Sequence, residues 1–269
     1  MSAGKNYKNG VLIMSYKVDL NSDLGESFGA WKMGQDSDVL TFVSSANVAC
    51  GFHAGDPLVM KKTVAEAVTA GVAVGAHPAY PDIKGFGRRN MACSPDELYA
   101  DTLYQIGALR AFCEAAGIKL QHVKPHGAMY NSAAKKPEEA MALAQAVKDA
   151  GGNLILMGLA GSKFDEAAEK IGVPYAAEAF ADRGYMNDGS LVPRKMEGAF
   201  VKDVEVAAKR VIRMIKEGVV EAIDGTIVNL RPHSICLHGD SPSAVQMAQT
   251  LRKRLIEAGI EIVPLRDLF

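Results

Sequence analysis

The hydrophobic and polar positions repeat one arrangement six times along the chain. An apolar run breaks at glycine and passes into ionisable or amide side chains. The six stretches are Val18-Asp-Leu-Asn-Ser-Asp-Leu-Gly-Glu26, Asn47-Val-Ala-Cys-Gly-Phe-His-Ala-Gly-Asp56, Val72-Ala-Val-Gly-Ala-His-Pro-Ala-Tyr-Pro-Asp82, His122-Val-Lys-Pro-His-Gly-Ala-Met-Tyr-Asn131, Ala177-Glu-Ala-Phe-Ala-Asp-Arg-Gly-Tyr185 and Ile235-Cys-Leu-His-Gly-Asp240. Each apolar run predicts a buried strand, and the glycine lets the chain turn where the strand stops. If the strands are parallel, all the polar clusters meet on one rim, which is how an α/β enzyme assembles a site.

Strands are expected at Val18–Asn21, Ala46–Cys50, Val72–Ala76, Leu120–Lys124, Leu154–Met157, Tyr175–Ala179, Ile235–His238 and Glu261–Val263. Helices fall between them. Ser94 and Glu97 form a capping box with Pro95 at the first helical position, and Gly117 ends that helix. Pro137 opens another helix that Gly151-Gly152 ends, Ser241-Pro242 opens the last, and Pro57–Ala70 carries an apolar side. This alternation predicts a parallel (β/α) barrel, irregular and TIM-like, with seven or eight strands. A doubly wound open sheet is the competing topology, but it would gather polar clusters at one crevice rather than spread them over nearly every strand. Residues 17–269 read as a single barrel domain, and 1–16 as an N-terminal extension expected to be disordered. Three connections are long: Leu24–Val39, Pro78–Cys93 and Ala181–Lys202. The last is either a flap over a charged ligand or an ordinary surface insertion.

Composition narrows the classes. With 30 Lys and Arg against 31 Asp and Glu in 269 residues, no basic stripe points to nucleic acid or a membrane surface. No apolar run is long enough to span a bilayer. Cys50, Cys93, Cys113 and Cys236 have no paired spacing, which suits reduced thiols in a cytoplasmic protein.

Five of the six histidines, His53, His77, His122, His126 and His238, lie in or near the strand-end clusters, while His233 precedes a strand. At least four are expected to share a rim with Asp19, Asp23, Glu26, Asp56, Asp82, Asp182 and Asp240, a density that favours a catalytic or ligand site. Asp19, Asn21 and Asp23 alternate along a strand and are expected to point the same way, into the barrel or towards its mouth. Lys124 is either a holder of negative charge or half of a structural ion pair. Asp23, His53 and His77 form a candidate set for a divalent metal, though no His-x-x-x-His or Cys-x-x-Cys spacing is present. No phosphate loop is present: Gly158-Leu-Ala-Gly-Ser-Lys163 has the wrong spacing, and a helix cap at Ser162 accounts for it. Gly85-Phe-Gly-Arg-Arg89 reads equally as an anion site or a solvated turn.

Five of these motifs, in order from Val18 to Tyr185 and including Gly85-Phe-Gly-Arg-Arg89, together resemble the LamB/YcsF family. The resemblance implies an irregular (β/α) barrel related to metal-dependent polysaccharide deacetylases. It also implies the activity of the A component of an ATP-dependent 5-oxoprolinase, which opens 5-oxo-L-proline (pyroglutamate) to L-glutamate with subunits B and C. ATP would be a cosubstrate with Mg²⁺ and the partner subunits, and homo-oligomers are compatible with it. In that activity, one of Asp19, Asp23 or Glu26 is expected to act as general base, with His53 or His77 as its partner or as the acid. Lys124 and His126 are expected to stabilise negative oxygen, and Arg183 or Arg88 to hold the substrate carboxylate. Asn21, Asn47, Asp56, Glu178, Asp182, His238 and Asp240 complete the expected substrate-binding set. Two rivals stand beside this reading: a stand-alone metal-dependent amide or acetyl hydrolase, and a non-catalytic lactam- or sugar-binding subunit.

Overall fold

The computed structural model describes residues 4–8, 11–237 and 242–269, with side chains described over 16–237 and from 245 onward. The strands are β1 (Gly4–Lys8), β2 (Val11–Leu24), β3 (Ser45–Ala49), β4 (Ala73–His77), β5 (His122–Val123), β6 (Ile155–Leu159), β7 (Tyr175–Phe180), β8 (Val219–Glu221), β9 (Ile227–Asn229), β10 (Ser234–Cys236) and β11 (Ile260–Ile262). The helices are α1 (Asp36–Val39), α2 (Pro57–Ala70), α3 (Pro95–Ala115), α4 (Gly127–Ala133), α5 (Pro137–Ala150), α6 (Lys163–Ile171), α7 (Val204–Glu217) and α8 (Pro242–Glu257).

Seven parallel strands close a barrel. β2 pairs with β3, and the pairing runs on through β4, β5, β6 and β7 to β10, which returns to β2. That return contact is what an open sheet lacks. β11 adds an eighth parallel strand beside the early part of β2, with Ile260 opposite Tyr16. Before it, β1 pairs antiparallel with the first residues of β2, Gly4 opposite Ser15. The connection from β7 to β10 carries α7 and the antiparallel hairpin β8–β9.

The helices start where their sequences direct. Ser94 and Glu97 make the capping box of α3, and Leu98, Thr102, Ile106, Leu109 and Cys113 form its buried face. Asp56 caps α2 through the amides of Leu58 and Val59, with Pro57 at the first helical position. Apolar side chains on the outward face of the strands, such as Leu20, Val48, Val74 and Ile235, are buried beneath this helical layer. No helix among the described residues is long and apolar enough to cross a membrane. Cys50, Cys93, Cys113 and Cys236 are free thiols.

The barrel interior is unusual in its chemistry. Barrels of this kind are commonly filled with branched apolar side chains. Here Ile155, Met157 and Ala176 form only a small apolar cluster, packed with Leu265 of the C-terminal segment. Beyond that cluster the interior is polar: Asp19, Asn21, Ser45, Asn47, His122, Glu178 and Ser234 are all fully buried. Burying such groups is costly unless each finds a partner. They do. Asp19 accepts from Ser44 at 2.8 Å, from Ser45 at 2.6 Å and from Ser234. Asn21 donates to Ser234 at 2.7 Å, and Asn47 donates to Asn21 at 2.7 Å and to Asp23 at 2.8 Å. His122 donates to Asn47 Oδ1 at 2.6 Å. Its ring lies so close over β4 that a Cβ on Gly75 would stand 2.1 Å from His122 Nε2, so glycine is required there.

Candidate active site

The polar column inside the barrel ends at its C-terminal mouth in a cleft of about 230 Å³. Asp23, Glu26, His77, Lys124 and His126 line its inner side, and Arg88, Asn90, Tyr130, Asn131, Arg183 and Arg194 line its outer side. Asp23 is the last inward-facing residue of β2, His77 the last residue of β4, and Lys124 follows β5 directly. The prolines after His77 and Lys124 stop both strands at the rim.

Lys124 is the hub. It is 3% exposed, and its ammonium sits 2.9 Å from Asp23 Oδ1 and 2.8 Å from Glu178 Oε1. It also donates to Asn21 Oδ1 and to Cys236 Sγ, each at 3.2 Å. Burial opposes its charge, but Asp23, Cys236 and Glu178 outweigh burial and hold Lys124 well above the usual lysine range. Burial likewise opposes ionisation of Asp23, and the His77 ring and Lys124 overcome it, holding the carboxyl well below the usual range. The site is therefore set up as an ammonium and carboxylate pair. Tyr130 donates to Glu178 Oε2 at 2.7 Å and fixes the second carboxylate beside Lys124.

Beside this pair three histidines pack together. His53 and His126 stack with ring centroids 3.8 Å apart, and His77 meets both edge-on. Burial pushes His53 well below the usual histidine range, reinforced by His126 and His77, and pushes His126 down to about 3. His77 Nδ1 donates to the Lys124 carbonyl at 2.7 Å, and His126 Nε2 donates to the Phe86 carbonyl at 2.9 Å. Glu26 approaches His53 at 3.3 Å and His126 at 3.5 Å. Glu26, His53, His77 and His126 each offer a ligand atom, all within 4.8 Å of one another, so this cluster could hold a metal ion. Asp23, grouped with His53 and His77 on sequence, borders the cluster instead, 3.3 Å from His77 Nε2.

The Gly85–Arg89 stretch is a clamped lid on these rings. Asp82 accepts from the Gly85 amide at 2.9 Å, from Arg89 Nε at 2.9 Å and from the Arg89 amide at 3.3 Å. Phe86 adopts φ +55°, a strained value for a side-chain-bearing residue, while its ring packs edge-on against His53 and His126. At Gly87 a Cβ would stand 2.9 Å from both His126 and His53, so the backbone itself covers the rings.

The structure thus gathers Asp23, Glu26, His77, Lys124, His126, Arg88 and Arg183 at one cleft, with His53 directly behind His126. Asp19, Asn21, Asn47 and Glu178 lie beneath it in the interior network. Asp19 sits four residues before Asp23 on β2, about 13 Å deeper. Asp56 faces backbone amides, including that of Gly29 at 2.8 Å, and Asp182 does not line the cleft. Arg183 gives Nε to the Ala199 carbonyl at 3.1 Å and Nη2 to the Val192 carbonyl at 2.6 Å, tying down the Ala181–Lys202 connection. Arg88 is exposed over the Phe86 ring. His238 and Asp240 lie outside the described residues. Arg194 comes from the Ala181–Lys202 connection; Asn90, Tyr130 and Asn131 were not singled out on sequence, although Tyr130 and Asn131 close the fourth motif, which was the available signal.

Residues 18–269 match the model of the LamB/YcsF family. The chain belongs to that family. A relative from Clostridium beijerinckii, named as the A component of 5-oxoprolinase, is 54% identical over 254 residues, covering 94% of this chain and 100% of its own length. One of the same name from Pyrococcus abyssi is 53% identical over 251 residues, covering 93% of this chain and 98% of its own. The crystal structure of a lactam utilization protein from Thermus thermophilus is 50% identical in sequence, superposes with a TM-score of 0.88, and covers 92% of this chain and 99% of its own. Family and fold thus agree with the motif resemblance.

Proposed function

We propose that this chain is the A component of an ATP-dependent 5-oxoprolinase and that its cleft takes part in opening 5-oxo-L-proline to L-glutamate. Relatives above 50% identity carry the 5-oxoprolinase name along nearly their whole length. The observation that carries the reading is the cleft itself. A buried ammonium held between two carboxylates stands beside three packed imidazoles, with an exposed guanidinium at the mouth.

The substrate is a small lactam with a carboxylate. Arg88 is suited to that carboxylate, because a planar guanidinium can bind it in a fork. The lactam is an amide with a poor leaving group, so its carbonyl must be activated. ATP does this by transferring its terminal phosphoryl to the amide oxygen, releasing ADP and leaving an imidate phosphate. Water then attacks the same carbon, the ring C–N bond breaks as the nitrogen takes a proton, and a second water hydrolyses the resulting acyl phosphate to the side-chain carboxylate and phosphate. Lys124 is placed to stabilise negative oxygen at each stage. The Lys124 carbonyl orients His77 through Nδ1, and the imidazoles handle protons.

No phosphate loop stands in this chain, so ATP, with Mg²⁺, is bound by or shared with partner subunits B and C. The assembly works in the cytoplasm. Mixing the purified chain with its partner subunits, ATP and 5-oxoproline tests the proposal. Glutamate release that requires ATP and all subunits supports it. Release by this chain alone without ATP identifies a stand-alone hydrolase, and no release from any mixture leaves a binding subunit.

A further inference from the structure

We infer that Glu26, His53, His77 and His126 bind a single divalent transition-metal ion of the zinc type. This goes beyond the lactam reading and stands independently of it.

Proton accounting carries the argument. A carbonyl oxygen only accepts hydrogen bonds. His77 faces the Lys124 carbonyl with Nδ1 at 2.7 Å, so its ring proton is on Nδ1. His126 faces the Phe86 carbonyl with Nε2 at 2.9 Å, so its ring proton is on Nε2. The remaining nitrogens, His77 Nε2 and His126 Nδ1, carry lone pairs, yet they face each other at 3.0 Å. Glu26 Oε1 stands 3.5 Å from the same His126 nitrogen and 3.3 Å from His53 Nε2. Asp23 Oδ2 stands 3.3 Å from His77 Nε2. His77 Nε2, His126 Nδ1 and the Glu26 and Asp23 carboxylates thus bring lone pairs to one point, a donor set suited to a cation.

The size of the gap favours a metal. Ligand atoms bound about 2.0–2.2 Å from zinc stand roughly 3–4 Å from one another. The separations of 3.0, 3.3 and 3.5 Å match that spacing. Three imidazoles with one carboxylate select zinc-type ions over Mg²⁺ and Ca²⁺, which prefer all-oxygen sites. The surroundings are those of a metal site as well. Two ligating rings give their other N–H to a backbone carbonyl, the outer contact that fixes tautomer and orientation. One of those carbonyls is on Phe86, in the loop that Asp82 and Arg89 clamp. Glu26, His77 and His126 also line the cleft, so one side of the ion would face the ligand cavity. An ion there supplies Lewis acidity toward a carbonyl oxygen or water.

The rival is a proton shared between His77 and His126, and metal uptake separates the two. Full-length protein made without a histidine tag is stripped with a chelator and given back Zn²⁺, Co²⁺ or Mg²⁺. The expected result is one Zn²⁺ or Co²⁺ per chain, a Tm that climbs with free Zn²⁺ but not with Mg²⁺, and visible Co²⁺ absorption bands. Glu26→Gln and His126→Gln should each weaken Zn²⁺ binding by more than the roughly 10–100-fold that loss of an outer partner costs. Stripped wild-type protein that takes up no Zn²⁺ and melts unchanged in its presence overturns the inference in favour of the shared proton. Undiminished Zn²⁺ binding by both variants overturns it too, because the ion then sits elsewhere.

Discussion

Replacing Lys124 with methionine removes the ammonium between the fully buried Glu178 and the part-buried Asp23 while keeping most of the side-chain volume. In the wild type, Lys124 meets Asp23 at 2.9 Å and Glu178 at 2.8 Å, with its side chain 3% exposed and that of Glu178 fully buried. Cutting one partner from a buried ion pair costs about 3–5 kcal/mol, because the other charge is left uncompensated. Here two charges are left, so the upper part of that range is expected for Lys124→Met near neutral pH. At roughly 2–4 °C per kcal/mol, Tm should fall by about 8–20 °C. The loss should depend on pH. Lys124 helps hold the Asp23 carboxyl low, so its contribution is present above the ordinary aspartate pKa and disappears as pH falls through the depressed value. In Lys124→Met the Asp23 carboxyl can take up a proton at milder acidity, so the gap from wild type narrows on acidification. Denaturant unfolding followed by circular dichroism, near neutral pH and about two units lower, measures both effects. Adding Glu178→Gln to Lys124→Met should recover part of the loss, since one of the stranded charges is gone. A loss below about 1 kcal/mol, or a gap that ignores pH, would show that Lys124 is not the charge hub described.

Three further outcomes follow from the same geometry. Burial pushes the Asp19 carboxyl up to about 6, against the pull of Ser234, Ser45 and Ser44, so wild-type stability should decline as pH rises from about 4 to about 6, by on the order of 3 kcal/mol; in Asp19→Asn that decline should vanish, and parallel stability curves for the two proteins would contradict it. Arg88→Ala should raise KM for the lactam at nearly unchanged Tm, whereas Arg183→Ala should lower Tm, because only the Arg183 guanidinium is tied to the Ala199 and Val192 carbonyls; the reverse pattern refutes the division of roles. Gly75→Ala drives a Cβ to 2.1 Å from His122 Nε2 and should destabilise by about 1–3 kcal/mol, a cost of overpacking that a calorimetric scan at wild-type stability would disprove.

Much of the barrel was legible because strand, glycine and polar cluster recur in one order. Ser45–Ala49, Ala73–His77 and Tyr175–Phe180 lie within a residue or two of the expected strands, and α2 and α3 begin at the prolines that announced them. The gathering of Asp23, His77, Lys124 and His126 followed from their common position at strand ends. Depth was harder to read. His122 and Asp19 carry the same polar signature as rim residues but lie inside, because this barrel has a polar filling where periodicity alone implies an apolar one. The contribution of Phe86 is a backbone carbonyl, which no side-chain pattern reveals. Arg183 was expected at the substrate, and only tertiary contacts show its donors meeting carbonyls nine and sixteen residues onward. The hairpin β8–β9 has three-residue strands, too short to register as a period.

The central claim is that the lactam opens at the cleft of Asp23, His77 and Lys124, and turnover of the reconstituted complex carrying Asp23→Asn tests it most directly. The substitution keeps size and hydrogen-bonding shape but removes the charge that faces Lys124 and His77. The account predicts that ATP-dependent release of glutamate from 5-oxoproline falls by about 10²–10⁴-fold while the complex still assembles. Assembled complex that turns over at the wild-type rate would place the chemistry elsewhere.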